Sequence, residues 1–109
     1  MKIDIFYDAE EGSTYFVTLE PVTVADWIVP AGTISDGASV PRAFWGICTP
    51  IDGRYIEIFT WHDYAYQNHL LTRDAVDQIM RNLLVKAGMS RIKAFTIYKV
   101  VRAFGAAHW

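Results

Sequence analysis

The apolar residues of this chain repeat with one period in the first third and with another thereafter, and that switch constrains the fold more than any other feature. In Lys2-Ile3-Asp4-Ile5-Phe6-Tyr7 polar and apolar residues alternate, residues 8–13 are rich in turn formers, and Thr14-Tyr15-Phe16-Val17-Thr18-Leu19 is β-branched and aromatic. This is the pattern of a β-hairpin. Pro21 precedes a third predicted strand over residues 22–29, Pro30-Ala31-Gly32 turns the chain, and Ile34 opens a short fourth strand.

From Pro41 onward the spacing is helical. Pro41 suits the first turn of a short helix that includes Phe44 and Trp45, and residues 49–53 form a loop by composition. Tyr55, Phe59, His62, Tyr66 and Leu70 share one stripe of a helix over residues 55–70. Thr72 is the expected N-cap of a second helix, with Asp74 in its first turn, Val76, Ile79, Met80, Leu83, Leu84 and Ala87 on its apolar face, and Gly88 as its stop. Ser90 caps the last helix, where Ile97, Val100, Val101 and Phe104 mark the inner face and Gly105 ends the pattern. Strands first and helices after predict an α+β domain: a small antiparallel sheet from the first third packed against about three C-terminal helices. One domain over residues 1–109 is expected, mainly strands in 1–35 and mainly helices in 41–105.

Composition narrows the class. With 52% hydrophobic and 20% charged residues the chain is not disordered. No apolar run approaches the roughly 18 residues that span a bilayer, and the first residues lack a signal-peptide pattern. The single cysteine, Cys48, forbids an intramolecular disulfide. It lies in an apolar stretch without a nearby base, so it is expected to be a buried hydrophobe without redox function. Residues 1–54 hold eight acids and three bases, a balance of −5, whereas residues 55–109 hold four acids and seven bases, a balance of +3.

Three groups of residues could carry chemistry. The segment Ile34-Ser35-Asp36-Gly37-Ala38-Ser39-Val40-Pro41 combines turn formers with a carboxylate and a hydroxyl. Asp36 and Ser39 either cap the turn at Pro41 or approach a ligand or metal. In His62-Asp63-Tyr64-Ala65-Tyr66, His62 and Tyr66 stand one turn apart on one helix face and Asp63 lies on the flank. An imidazole in an aromatic stripe needs a partner or a cleft. Asp77, across the short Leu71-Thr72 connection, can fold back toward His62, or it can belong to an exposed Arg73-Asp77-Arg81 ion-pair ladder. Arg91, Phe95, Tyr98, Lys99 and Arg102 form a basic and aromatic face on the last helix. Three such bases neutralise too few phosphates for useful nucleic-acid binding, and Phe95 and Tyr98 are expected to pack under the sheet or against an oligomeric partner.

The ordered motifs Trp27-Ile28-Val29-Pro30-Ala31-Gly32, Asp36-Gly37-Ala38-Ser39-Val40-Pro41-Arg42 with Trp45, His62-Asp63-x-x-Tyr66, Arg73-x-x-x-Asp77 and Tyr98-x-x-Val101-Arg102-x-Phe104-Gly105 resemble an uncharacterised family of tailed bacteriophages and prophages, domain-of-unknown-function family 1353. The resemblance covers roughly residues 22–109. It implies a phage-derived protein, located in the host cytoplasm or the virion, and a site at Asp36, Ser39, His62, Asp63, Tyr66 and Asp77. A geometric similarity links His62-Asp63-x-x-Tyr66 to the helix of secreted phospholipases A2, with Asp77 as the residue that would orient the imidazole. This chain departs from those enzymes in having one cysteine and no glycine-rich calcium loop.

Two functions follow as expectations. The first is a non-enzymatic virion, assembly or accessory component, with a phage or host protein as partner or a homo-oligomer as its working form. In it the Asp/His/Asp cluster organises the fold or a partner surface. The alternative is a small hydrolase acting on envelope lipid or peptidoglycan, with His62 as general base, Asp77 orienting it, Ser39 as a nucleophile, and Asp36 and Asp63 either holding a divalent metal or activating water. Asp36, His62, Asp63 and Asp77 are expected to lie together, with Tyr66 closing the same pocket.

Overall fold

The structure is a computed structural model that describes residues 2–8, 13–35 and 53–109. Asp36, Ser39, Cys48 and the short helix expected after Pro41 lie outside the described residues. The described elements are β1 (Ile3–Asp8), β2 (Ser13–Thr18), β3 (Val22–Val24), β4 (Trp27–Val29), β5 (Ile34–Ser35), α1 (Ile56–Asn68), α2 (Arg73–Lys86) and α3 (Arg91–Phe104), with a 3-10 turn at Gly105–His108. Strands thus precede helices and the fold is α+β, as the change of period predicts.

The strands differ from expectation in two respects, because they form two sheets and the third predicted strand is broken. β1, β2 and β5 form one antiparallel sheet in the order β1-β2-β5, while β3 and β4 form a separate hairpin. The expected continuous strand over residues 22–29 folds back on itself at Ala25-Asp26, pairing Val22 with Val29 and Val24 with Trp27. Ala25 takes a left-handed φ of 51° there. Alternation inside the hairpin explains the preference: Val22, Val24 and Val29 are buried while Thr23 and Ile28 face out. Folding the segment therefore puts three valines on one face of a compact ribbon. The second half of β2 packs by the same rule. Phe16 and Thr18 point inward, and Phe16 sits opposite the buried Ser35 of β5. Thr18 also anchors the turn at Pro30-Ala31-Gly32-Thr33, donating from its hydroxyl to the Pro30 carbonyl and accepting from the Thr33 amide, both at 3.0 Å.

The helices follow their local signals closely. Thr72 accepts a hydrogen bond from the Ala75 amide and Ser90 from the Lys93 amide, so both expected N-caps act as caps. Gly88 has φ +113° just past the end of α2, the left-handed conformation that suits glycine. Val76, Met80 and Leu84 of α2 pack against Ala94, Ile97 and Val101 of α3 and against Phe59, Trp61, Ala65 and Tyr66 of α1 in one core. Ala87 and Phe104 depart from the predicted faces and are exposed. Trp27 of β4 packs its ring 5.0 Å from that of Trp61, joining the hairpin to α1.

Candidate functional site

The helical stripe delivers His62 and Tyr66 to the buried side of α1, and the turn at residues 69–72 folds α2 back so that Asp77 meets them. His62 Nε2 lies 2.7 Å from Asp77 Oδ1. Since an ionised carboxylate can only accept, Nε2 carries the proton and donates. The Tyr66 hydroxyl donates to the same Oδ1 at 2.6 Å. The other oxygen, Oδ2, accepts from Arg102 Nη1 at 3.0 Å. Asp77 is wholly buried and His62 is 1% exposed, so this carboxylate of α2 is satisfied by an imidazole and a phenol from α1 and a guanidinium from α3.

The other side of the imidazole faces Asp63, whose Oδ1 is 4.0 Å from Nδ1. Ser35 of β5 donates its hydroxyl to Asp63 Oδ2, and Gln67 donates to the Ile34 carbonyl at 2.7 Å. These two bonds fasten β5 to α1. Below Tyr66, Arg73 donates from Nε to the phenolic oxygen at 3.1 Å and from Nη2 to the carbonyls of Val101 and Arg102 at 2.9 and 2.8 Å. Arg73 thereby satisfies carbonyls at the C-terminal end of α3, where a cation is electrostatically favoured.

Charge distribution in the cluster is self-consistent. Burial pushes the His62 pKa down, but hydrogen bonds and charges from Asp63 and Asp77 outweigh it, so the imidazole titrates above its ordinary 6.5. Burial pushes Asp77 up, but the bonds from His62 and Tyr66, the charge of His62 and the bond from Arg102 hold it below its ordinary 3.8. Burial and the bond to Asp77 raise Tyr66 well above the usual phenol value. The direction of each shift thus favours the charged imidazole beside the Asp77 carboxylate, with Tyr66 a neutral donor.

Of the expected site residues, the structure brings together His62, Asp63, Tyr66 and Asp77. Asp36 and Ser39 lie outside the described residues, so neither their catalytic and metal-binding roles nor their place beside His62 is described. Among the described residues, no group of three or more His, Cys, Asp and Glu side chains is arranged to hold a metal ion. The exposed Arg73-Asp77-Arg81 ladder does not form. Asp77 is buried against Arg102, Arg73 turns to α3, and Arg81 lies 4.9 Å over the Tyr98 ring. Nor do Phe95 and Tyr98 lie under the sheet: Phe95 is 47% exposed, and the Tyr98 hydroxyl donates to Asp74 on α2.

Four contributors escaped the sequence reading: Ser35, Arg73, Arg102 and Gly105. Strand alternation is the signal for Ser35, because Ile34 outward requires its neighbour inward. Arg73 and Arg102 stand in the motifs quoted above but at positions whose spacing suggests exposed helix faces. Gly105 ends α3 with φ −75°, an ordinary right-handed value, so it is needed for space. A Cβ there would sit 3.0 Å from the Tyr66 hydroxyl and 3.3 Å from Arg73 Nη2.

Comparison with known proteins gives a family and no described activity. Residues 14–101 match the family described as protein of unknown function (DUF1353). The chain is 32% identical over 80 residues to the uncharacterized protein y4jT of Sinorhizobium fredii (strain NBRC 101917 / NGR234), a match covering 72% of this chain and 24% of that protein. The aligned region thus spans about a quarter of that relative's length. No solved structure matches the chain.

Proposed function

We propose, for a chain that belongs to the DUF1353 family of proteins of unknown function, that it is a non-catalytic virion, assembly or accessory component of a phage or prophage, in which the His62-Asp77 cluster is a clamp that holds a rigid docking domain. The observation that carries this reading is the position of His62. A general base must be neutral and reachable, whereas this imidazole is 1% exposed, donates from Nε2 and faces a second carboxylate across Nδ1. The bonds around it join β5, α1, α2 and α3 through Ser35, His62, Tyr66, Arg73, Asp77 and Arg102. Interlocking of this kind stabilises one arrangement of elements and presents their outer faces unchanged to a partner.

One observation favours a hydrolase instead. Asp77 orients His62 through Nε2 and also accepts from Tyr66, the arrangement expected from the phospholipase analogy, with Asp63 next to the imidazole. In that reading Nδ1 would take a proton from water, and Asp36 or Ser39 would complete the site.

Two measurements separate these readings. For a clamp, Asp77→Asn breaks the buried pair with His62 by removing one partner's charge, a change that typically costs about 3–5 kcal/mol. That corresponds to a drop of more than about 10 °C in the melting midpoint for a domain of this size. His62→Ala should fall in the same direction, and the wild-type chain should not hydrolyse phosphatidylglycerol vesicles or peptidoglycan with calcium or magnesium present. Turnover above that of His62→Ala, with variants that melt like wild type, would sink the clamp and establish the hydrolase.

A further inference from the structure

Between α2 and α3, on the outer side of the molecule, a groove of about 430 Å³ is lined by Arg81, Asn82, Val85, Arg91 and Phe95. It takes no part in the His62-Asp77 cluster. Two of its five described lining residues are guanidinium side chains and none is acidic. Among the described residues no ion pair engages Arg81 or Arg91, and the contact of Arg81 with the face of Tyr98 leaves its charge unneutralised.

Arg91 is also placed against its own helix. It occupies the first position of α3, whose first turn has no acid. The positive end of the helix dipole opposes a cation there. Folding of α3 gains nothing from that charge. Around the groove the surface is apolar as well as basic. Phe95 is 47% exposed, and Lys99 Nζ stands 5.5 Å from its ring. An exposed aromatic side chain thus lines the groove beside Val85, with guanidiniums from both helices.

We propose that this groove docks a short acidic amphipathic helix of a partner protein, with carboxylates on Arg81 and Arg91 and an aliphatic or aromatic anchor against Val85 and Phe95. Two antiparallel helices with a furrow between them suit a third helix laid along it, with apolar anchors at helical spacing. The guanidiniums, which have no ion pair among the described residues, select for carboxylates, which they bind in bidentate fashion. A free anion would use the charges but not the exposed Phe95, which is why a peptide fits better. This names the partner class for the docking role proposed above and rests on that reading.

The test is fluorescence anisotropy of the full chain with a fluorescein-labelled helical peptide bearing Glu, Leu and Phe on one face, beside its counterpart with Gln in place of Glu. Saturable binding is expected at micromolar concentration, with a loss of at least about tenfold for the Gln peptide and for R81E/R91E, and a smaller loss for F95A. Circular dichroism melts of F95A should match wild type and those of R81E/R91E should fall no lower, since these residues are exposed or half-buried and an acid at the start of α3 suits the helix dipole. Equal affinity of wild type and R81E/R91E, or no saturation, would overturn the proposal. So would tighter capture by phosphatidylglycerol vesicles than by the peptide, or self-association of the chain lost in R81E/R91E, which would assign the groove to a membrane or to a second copy. Failure of the peptide with silent hydrolase assays removes the groove alone, whereas turnover removes the non-catalytic reading whatever the peptide does.

Discussion

At the scale of the residue, Asp77 shows how a buried charge becomes tolerable. Its two oxygens accept from His62 and Tyr66 on α1 and from Arg102 on α3, so neither oxygen that burial would strand lacks a donor. The pH dependence of stability follows from the direction of each shift. His62 binds its proton more tightly folded than unfolded, so its contribution is complete below the ordinary 6.5 and is lost as pH rises through the raised folded value. Asp77 has the opposite sign: its contribution is complete above 3.8 and is lost as pH falls through the lowered folded value. Both are therefore present between 3.8 and 6.5. The expected result is a wild-type melting midpoint that declines on the alkaline side of that window, and a His62→Gln variant whose midpoint lacks that decline. Parallel curves for the two proteins from pH 5 to pH 9 would show that His62 gains no stabilising charge on folding.

At the scale of the element, the caps hold what periodicity predicts. Ser90 accepts from the Lys93 amide at 3.2 Å while Arg91 and Lys93 crowd the same helix start with positive charge. The hydroxyl is thus a needed acceptor at the end of α3 that lacks acids. Ser90→Ala should cost about 0.5–2 kcal/mol in urea unfolding with an unchanged slope, and Ser90→Asp should be at least as stable as wild type because its charge suits the dipole. Helix starts such as this were legible because a cap is settled within four residues. The hairpin of β3 and β4 was not, since Val22-Thr23-Val24 and Trp27-Ile28-Val29 are each too short to show a period of their own, and only the pairing of Val22 with Val29 brings the valines to one face. The left-handed turn at Ala25 carries no glycine or asparagine to announce it.

At the scale of the whole molecule, the C-terminal segment closes the structure. Trp109 stacks on His69 with ring centroids 4.2 Å apart and meets the Tyr66 ring edge-on at 5.1 Å, so the last residue of the chain covers the end of α1. Gly105 lets α3 come this close. Alanine there would ordinarily add a little stability by restricting the unfolded chain. Here its Cβ meets Tyr66 and Arg73, both held by hydrogen bonds that cannot yield cheaply. Gly105→Ala is expected to lose about 1–3 kcal/mol, whereas Gly53→Ala, with open space around it, should be near neutral in the same thermal melts. By itself the sequence determined the order of strands and helices, both helix N-caps and the meeting of His62, Tyr66 and Asp77. Those depend on spacing within a helix and across one short turn. The packing of the elements selects Arg102, and not Arg73 or Arg81, as the counter-ion of Asp77, sets Ser35 against Asp63, and makes Gly105 a matter of room. Each of those pairs joins residues from about 25 to 40 positions apart, and which of several equally charged or equally small side chains arrives is set by how whole elements cross, a property that no local period contains.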